Sequence, residues 1–209
     1  MWQVLVDELE GFTVVSVALD SDAEAAARII RGHPTTYPVL IDERHTLGEL
    51  YGMVNVPSAI WIEDTGRVAR PTHIAGAGED WRSETDRTSP TRQITDAGAA
   101  RMRRTRRTYM NAVRAWVRDG THASHEPLQA HDDSEADAHF RLATYLHSRG
   151  LEGAHAHFVE AVRLRPSSWN FRRQALALEQ PEDLWDQFWG AVDATSPGEY
   201  YPLDDDLTQ

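Results

Sequence analysis

The sequence predicts an α/β domain followed by an all-helical region. Three observations carry that reading. Short apolar runs at 13–19, 39–41 and 59–63 alternate with helical patterns as far as residue 119. From 134 to 192 only helical patterns remain, and between the two lies a polar stretch, 120–133, punctuated by Gly120 and Pro127. The division is therefore 1–119, 120–133 and 134–209.

Taken in order, Trp2, Leu5, Val6 and Leu9 recur at helical spacing, so the first ten residues read as an amphipathic helix closed at Gly11. Neither Met1 nor Trp2 offers a side chain that could cap it. Residues 13–19 read as a buried strand, Asp20-Ser21-Asp22 as an acidic turn, and 23–31 as a helix. Tyr37-Pro38-Val39-Leu40-Ile41-Asp42 forms a second strand element, and a short helix ends at Tyr51-Gly52. A Val56-Pro57 loop leads into the apolar strand 59–63. Asp64-Thr65-Gly66-Arg67 then turns the chain into another strand.

Residues 71–98 are polar and rich in Gly, Ser, Thr and Asp, with Trp81 as their one large aromatic. They read as a long insertion, either a surface excursion or a functional loop. Met102, Tyr109, Val113, Trp116 and Val117 then mark a helix over 99–119. It carries Arg101, Arg103, Arg104, Arg106, Arg107, Arg114 and Arg118, readable as a solvated face partly paired with the carboxylates of 132–137 or as a docking face for an acidic partner.

Residues 134–166 read as two helices broken at Gly150. Ala154, Phe158, Ala161 and Pro166 follow the small, aromatic, small and terminating-proline spacing of the tetratricopeptide repeat, with Leu142 and Tyr145 at matching offsets in the first helix. One imperfect TPR-like repeat is expected. Helices at 169–178 and 184–192 would stack on it, since a single repeat cannot bury its own face. The aromatic stripe Trp185, Phe188 and Trp189 fits core packing or a peptide groove. Asp204-Asp205-Asp206 reads as an acidic, frayed tail.

The order of elements over 37–70, with their Tyr-Pro-Val-Leu-x-Asp, Tyr-Gly, Val-Pro and Asp-x-Gly-Arg motifs, resembles the ResA/TlpA branch of thioredoxin-like proteins, which borders the peroxiredoxin (AhpC/TSA) group. The resemblance covers roughly 1–118. It implies a thioredoxin-like three-layer domain and thiol or selenol chemistry on disulfides or peroxides. Two features depart from it: Ser58-Ala59 stands where relatives often carry threonines, and the Cys-x-x-Cys motif is missing. The sequence has no cysteine at all.

In relatives the catalytic pair sits at the start of the helix matching 2–10, where free N–H groups and the helix dipole stabilise a thiolate. Their first core strand precedes it, between the strands matching 13–19 and 59–63. The domain is thus expected to be incomplete at its N-terminus, the downstream part of a longer protein. A selenocysteine codon read as a stop would place an apparent start close to Met1. The resemblance also implies a cis bond at Val56-Pro57, with the Val56 backbone pairing with an extended peptide. It assigns substrate contact to Val56, Pro57 and the neighbouring Trp2, and no catalytic residue. From the residues alone, Pro57 can also simply start a strand.

Composition closes several other routes. With 41% hydrophobic and 26% charged residues the chain is globular, and a net charge of −12 argues against a general nucleic-acid binder. All 21 basic residues are arginine, so no lysine is available as a nucleophile. No apolar run is long enough to cross a bilayer and no secretory pattern is present. These residues alone suggest a cytoplasmic protein, whereas ResA/TlpA relatives are commonly extracytoplasmic.

The ten histidines supply no metal-ligand spacing. His155 and His157 do not share a helix face, His139 and His147 share one only loosely, and His122, His125 and His131 lie in the linker. The pairs Asp132-Asp133 and Asp20/Asp22 sit in turn and cap contexts, and Gly76-x-Gly78 lacks the context of a phosphate loop. No cofactor or metal is expected. Two functions remain: a redox protein without its Cys or Sec and inactive alone, or a redox-inactive scaffold that binds a protein or peptide through the Val56-Pro57 loop or the C-terminal helices.

Overall fold

The computed structural model describes residues 1–79, 82, 84–85, 93–128, 133–202 and 207. The fold is mixed α/β and about half helical. Its elements run α1 (Trp2–Glu8), β1 (Ser16–Ala18), α2 (Ala23–Gly32), β2 (Val39–Ile41), α3 (Thr46–Leu50), β3 (Ser58–Ile62), β4 (Val68–Ile74), α4 (Asp96–Asp119), α5 (Ser134–Ser148), α6 (Ala154–Leu164), α7 (Trp169–Glu179) and α8 (Leu184–Asp193). Among the described residues the last named strand ends at Ile74, and the C-terminal part is helical. The described chain divides into two compact units, 1–54 with 128–190 and 55–127 with 191–209.

In the first unit β1 and β2 pair in parallel, Ser16 opposite Val39 through Ala18 opposite Ile41. Parallel neighbours need a crossover, and α2 supplies it. The strand expected over 13–19 is shorter, because only 16–18 join the ladder. The acidic turn at 20–22 acts as a cap, and so does Asp42 at the end of the second strand element. Asp22 accepts the Ala25 N–H at 2.9 Å, and Asp42 accepts those of Thr46 and Leu47 at 3.0 and 2.7 Å. Each satisfies helix-start donors that would otherwise lack partners, worth about 1 kcal/mol.

The helical core of this unit is built from Ala136, Phe140, Ala143, Phe158, Ala161, Phe171 and Ala175. Phe140 stacks on Phe171 at 4.3 Å between ring centroids and meets Phe158 edge-on at 5.9 Å. Ala143 and Ala161 are wholly buried, and their small side chains let α5 and α6 approach. Ser168 caps α7 by accepting the Phe171 N–H at 3.3 Å. Asn170 donates its backbone N–H to Val54 and its side-chain amide to Met53.

Of the acidic group at 132–137, Asp133 and Asp137 face the buried Arg165, at 3.1 and 3.5 Å, and Asp132 lies outside the described residues. Burial raises the Asp137 pKa, outweighing the lowering by Arg165. The aromatic stripe of α8 divides: Phe188 is buried edge-on to Trp169 at 5.8 Å, while Trp185 is exposed and stacks on Trp189 at 6.1 Å.

In the second unit β3 and β4 form an antiparallel hairpin. The polar insertion expected from residue 71 begins later, since β4 runs on to Ile74. Pro71 is tolerated because the register is irregular between the Ala59–His73 and Trp61–Arg70 pairs, where the ladder is interrupted. Trp81 and the neighbouring 80, 83 and 86–92 lie outside the described residues, as do His131 and the Asp204–206 tail.

Helix α4 starts at Asp96, three residues before the expected 99, because Thr95 caps it by accepting the Gly98 N–H at 3.1 Å. A Cβ at Gly98 would stand 2.6 Å from Glu84 Cβ, so only glycine lets the helix start lie against that residue. Arg101 pairs with Glu84, while Arg103, Arg104, Arg106 and Arg107 are exposed. The stretch after α4 is tied down: Ser124 and His125 N–H groups bond the Ala69 carbonyl, and Arg70 donates to the His122 carbonyl at 2.8 Å.

Candidate functional site

The Val56–Pro57 peptide bond is cis, and the loop around it is held by its own Asn55 and Ser58, by the Ala75 backbone and by Tyr200 and Tyr201. Asn55, 2% exposed, accepts the Val56 N–H on Oδ1 at 2.8 Å and donates Nδ2–H to the Tyr200 carbonyl at 2.7 Å. Ser58 Oγ donates to the Asn55 carbonyl at 2.6 Å. The Pro57 carbonyl accepts the Ala75 N–H at 2.9 Å, which starts the β3–β4 ladder. The Val56 carbonyl accepts the Tyr201 hydroxyl at 2.9 Å. Both polar groups of the Val56 backbone are therefore engaged within the chain.

Glu79 and Arg82 fix the segment that supplies the two tyrosines. The Glu79 carboxylate accepts the Tyr201 N–H at 2.7 Å and the Arg82 guanidinium at 2.7 Å. Burial opposes the Glu79 charge, but the Tyr201 N–H, Arg82 and the Gly198 N–H outweigh it and hold the carboxyl below its ordinary pKa. Arg82 also donates to the carbonyls of Val192, Thr195 and Ser196. Of these only Val192 lies in α8, in its last turn, and the other two carbonyls belong to the segment that follows the helix.

Along β3 from the loop lies a buried polar chain. Trp61 Nε1 donates to the Tyr109 hydroxyl at 3.1 Å, and that hydroxyl lies 2.9 Å from His73 Nε2. His73 Nδ1 lies 2.7 Å from the Pro71 carbonyl. A carbonyl only accepts, so Nδ1 carries the hydrogen and Nε2 receives that of Tyr109. Trp116 stacks on Trp61 at 4.8 Å, and the Arg70 guanidinium lies 5.7 Å from the Trp61 ring centre. This chain fixes the face of β3–β4 against α4.

Of the residues assigned to substrate, Val56 and Pro57 stand together in the second unit, and Trp2 lies in α1 of the first, partly exposed. Beside Trp2, Gln3 fixes α1 through reciprocal bonds with Thr36, donating Nε2–H to Oγ1 at 2.7 Å and accepting the Thr36 N–H at 3.0 Å. Sequence reasoning missed Asn55, Tyr200 and Tyr201. The tyrosines lie 145 positions from the residues that they meet, and no local pattern marks them.

Among the described residues, no group of three or more His, Cys, Asp or Glu side chains is arranged to hold a metal ion. No described helix is long and apolar enough to cross a membrane. No family model matches the chain, and neither the curated proteins nor the solved structures contain a match to it.

Proposed function

We propose that this chain is a thioredoxin-like protein of the ResA/TlpA kind that carries the platform of a thiol or selenol redox site without the sulfur or selenium atom that reacts. The observation that carries the reading is the order of elements around the cis Val56–Pro57 bond: a parallel β–α–β unit, then this loop, an antiparallel hairpin and a long helix. The two sheets have two strands each among the described residues.

Val56 and Pro57 are the substrate-contact positions in this reading, and Trp2 adjoins the place of the missing motif. The pure chain, supplied with a dithiol reductant, is expected to turn over neither disulfides nor peroxides. Thiol-dependent turnover would overturn the proposal.

A second reading, a redox-inactive binding scaffold, is favoured by one feature of the helical region. Leu142, Tyr145, Leu151 and Val159, on α5, α6 and the turn between them, are all exposed, as the repeat-like hairpin of a docking module would present them. Monodisperse chain that unfolds cooperatively supports the scaffold. Aggregation of the pure chain supports a domain that lacks part of its core.

A further inference from the structure

The α5–α6 hairpin brings together two histidines that lie 18 positions apart, with His139 Nδ1 only 2.8 Å from His157 Nδ1. Their ring centres are 4.9 Å apart. Each precedes a core aromatic, Phe140 and Phe158, whose edge-on contact fixes the two backbones. Both imidazoles are half-buried and reach solvent. His155, two positions away, is turned to Glu179 at 3.0 Å instead.

With no metal, one of the two nitrogens must hold a hydrogen and the other a lone pair, so the rings take different tautomers. A divalent cation takes the place of that shared hydrogen, which moves to Nε2 of its own ring, so that both Nδ1 lone pairs can coordinate the ion. Two imidazoles at about 2.0 Å from a metal and about 90° apart place their nitrogens roughly 2.8–3.0 Å from each other. That is the observed spacing and the cis geometry of a tetragonal copper(II) ion; a tetrahedral ion needs nearer 3.3 Å. In the hydrogen-bonded pair the two Nδ1 atoms face each other, so taking up an ion requires each ring to turn about its Cβ–Cγ bond, a torsion broad in histidine.

One carboxylate, Glu160, interacts electrostatically with His139. Glu160, one turn beyond His157, is held below its ordinary pKa by hydrogen bonds from Arg163, with His139 adding to the effect. Its carboxylate stands at 2.5 and 2.7 Å from Arg163, which it would have to exchange in order to meet a bound ion.

We propose that His139 and His157 form a copper(II)-binding site across α5 and α6, with water or Glu160 completing the coordination. The test is a titration of the full chain with Cu2+ at neutral pH, followed by calorimetry and by the electron-spin spectrum of the bound ion. One equivalent is expected to bind with a tetragonal signal split by two nitrogens, and to weaken as pH falls, because protons compete for the same lone pairs. His139→Gln and His157→Gln should each lower the affinity about tenfold or more, and His155→Gln should leave it unchanged.

Copper should also raise the unfolding temperature of the parent chain but of neither variant, a readout that does not need the double substitution to fold. First-equivalent binding that survives both substitutions, or that falls equally in His155→Gln, would overturn the proposal.

Discussion

Tyr201 donates its hydroxyl hydrogen to the carbonyl of Val56 at 2.9 Å, immediately before the cis bond to Pro57. The backbone that the resemblance assigns to a peptide partner is thus occupied by a residue near the chain's own C-terminus. Removing the hydroxyl in Tyr201→Phe leaves a part-buried carbonyl without this donor and keeps the ring. The expected cost is about 1 kcal/mol, read as a lower denaturant midpoint with an unchanged slope.

The stacked pair Phe140 and Phe171 anchors the helical core of the first unit. Phe140→Ala removes a fully buried ring from contact with both Phe171 and Phe158. A loss of about 3–5 kcal/mol is expected, measurable by urea unfolding.

Two helix glycines should respond with opposite signs. At Gly98 an added Cβ meets Glu84 Cβ at 2.6 Å and Ile94 Cγ2 at 2.9 Å, so Gly98→Ala should destabilise by about 1–3 kcal/mol. At Gly190, inside α8, nothing lies within 4 Å of the added atom. Gly190→Ala should stabilise by about 0.4–1 kcal/mol, because the unfolded chain loses freedom. Paired thermal melts of the two variants read both signs.

His45 gives the fold a pH dependence with a defined sign. It is 4% exposed, adopts a left-handed backbone at φ 56° before α3, and lies edge-on to Phe140 at 5.0 Å. Burial lowers its pKa, outweighing the opposing pull of Asp42 and Asp20, while Arg173 adds to the lowering and Gln174 opposes it. A histidine lowered on folding contributes its full stability above about pH 6.5, where both states are neutral. That stability is lost as pH falls from there through the folded-state value, because the unfolded chain takes up the proton first. His45→Asn, which tolerates the left-handed backbone, should flatten this part of the stability profile measured between pH 7.5 and 5.

Local chemistry made much of the fold legible. Asp22, read in a turn and cap context, caps α2 because its carboxylate matches an open N–H group, and Gly11 and Gly66 adopt positive φ where turns were read. Small and aromatic residues at Ala154, Phe158 and Ala161 fell on the packed face of α6 by spacing alone, though Ala154 is only partly buried. What escaped depends on contacts between distant segments. Pro71 joins β4 only because an irregular register receives it, and His139 meets His157 only once α5 and α6 pack. The tyrosines at 200 and 201 carry no local sign of the loop that they close.

The central proposal is that the chain keeps a redox platform without the reacting atom, and restoring that atom tests it most directly. A strand and a Cys-x-x-Cys segment fused ahead of Trp2 should give a thiol titrating below about 8.5, a reversible two-electron couple, and disulfide reduction that falls when Pro57 is replaced. A folded fusion whose cysteines titrate as free thiols and reduce no disulfide would contradict the account.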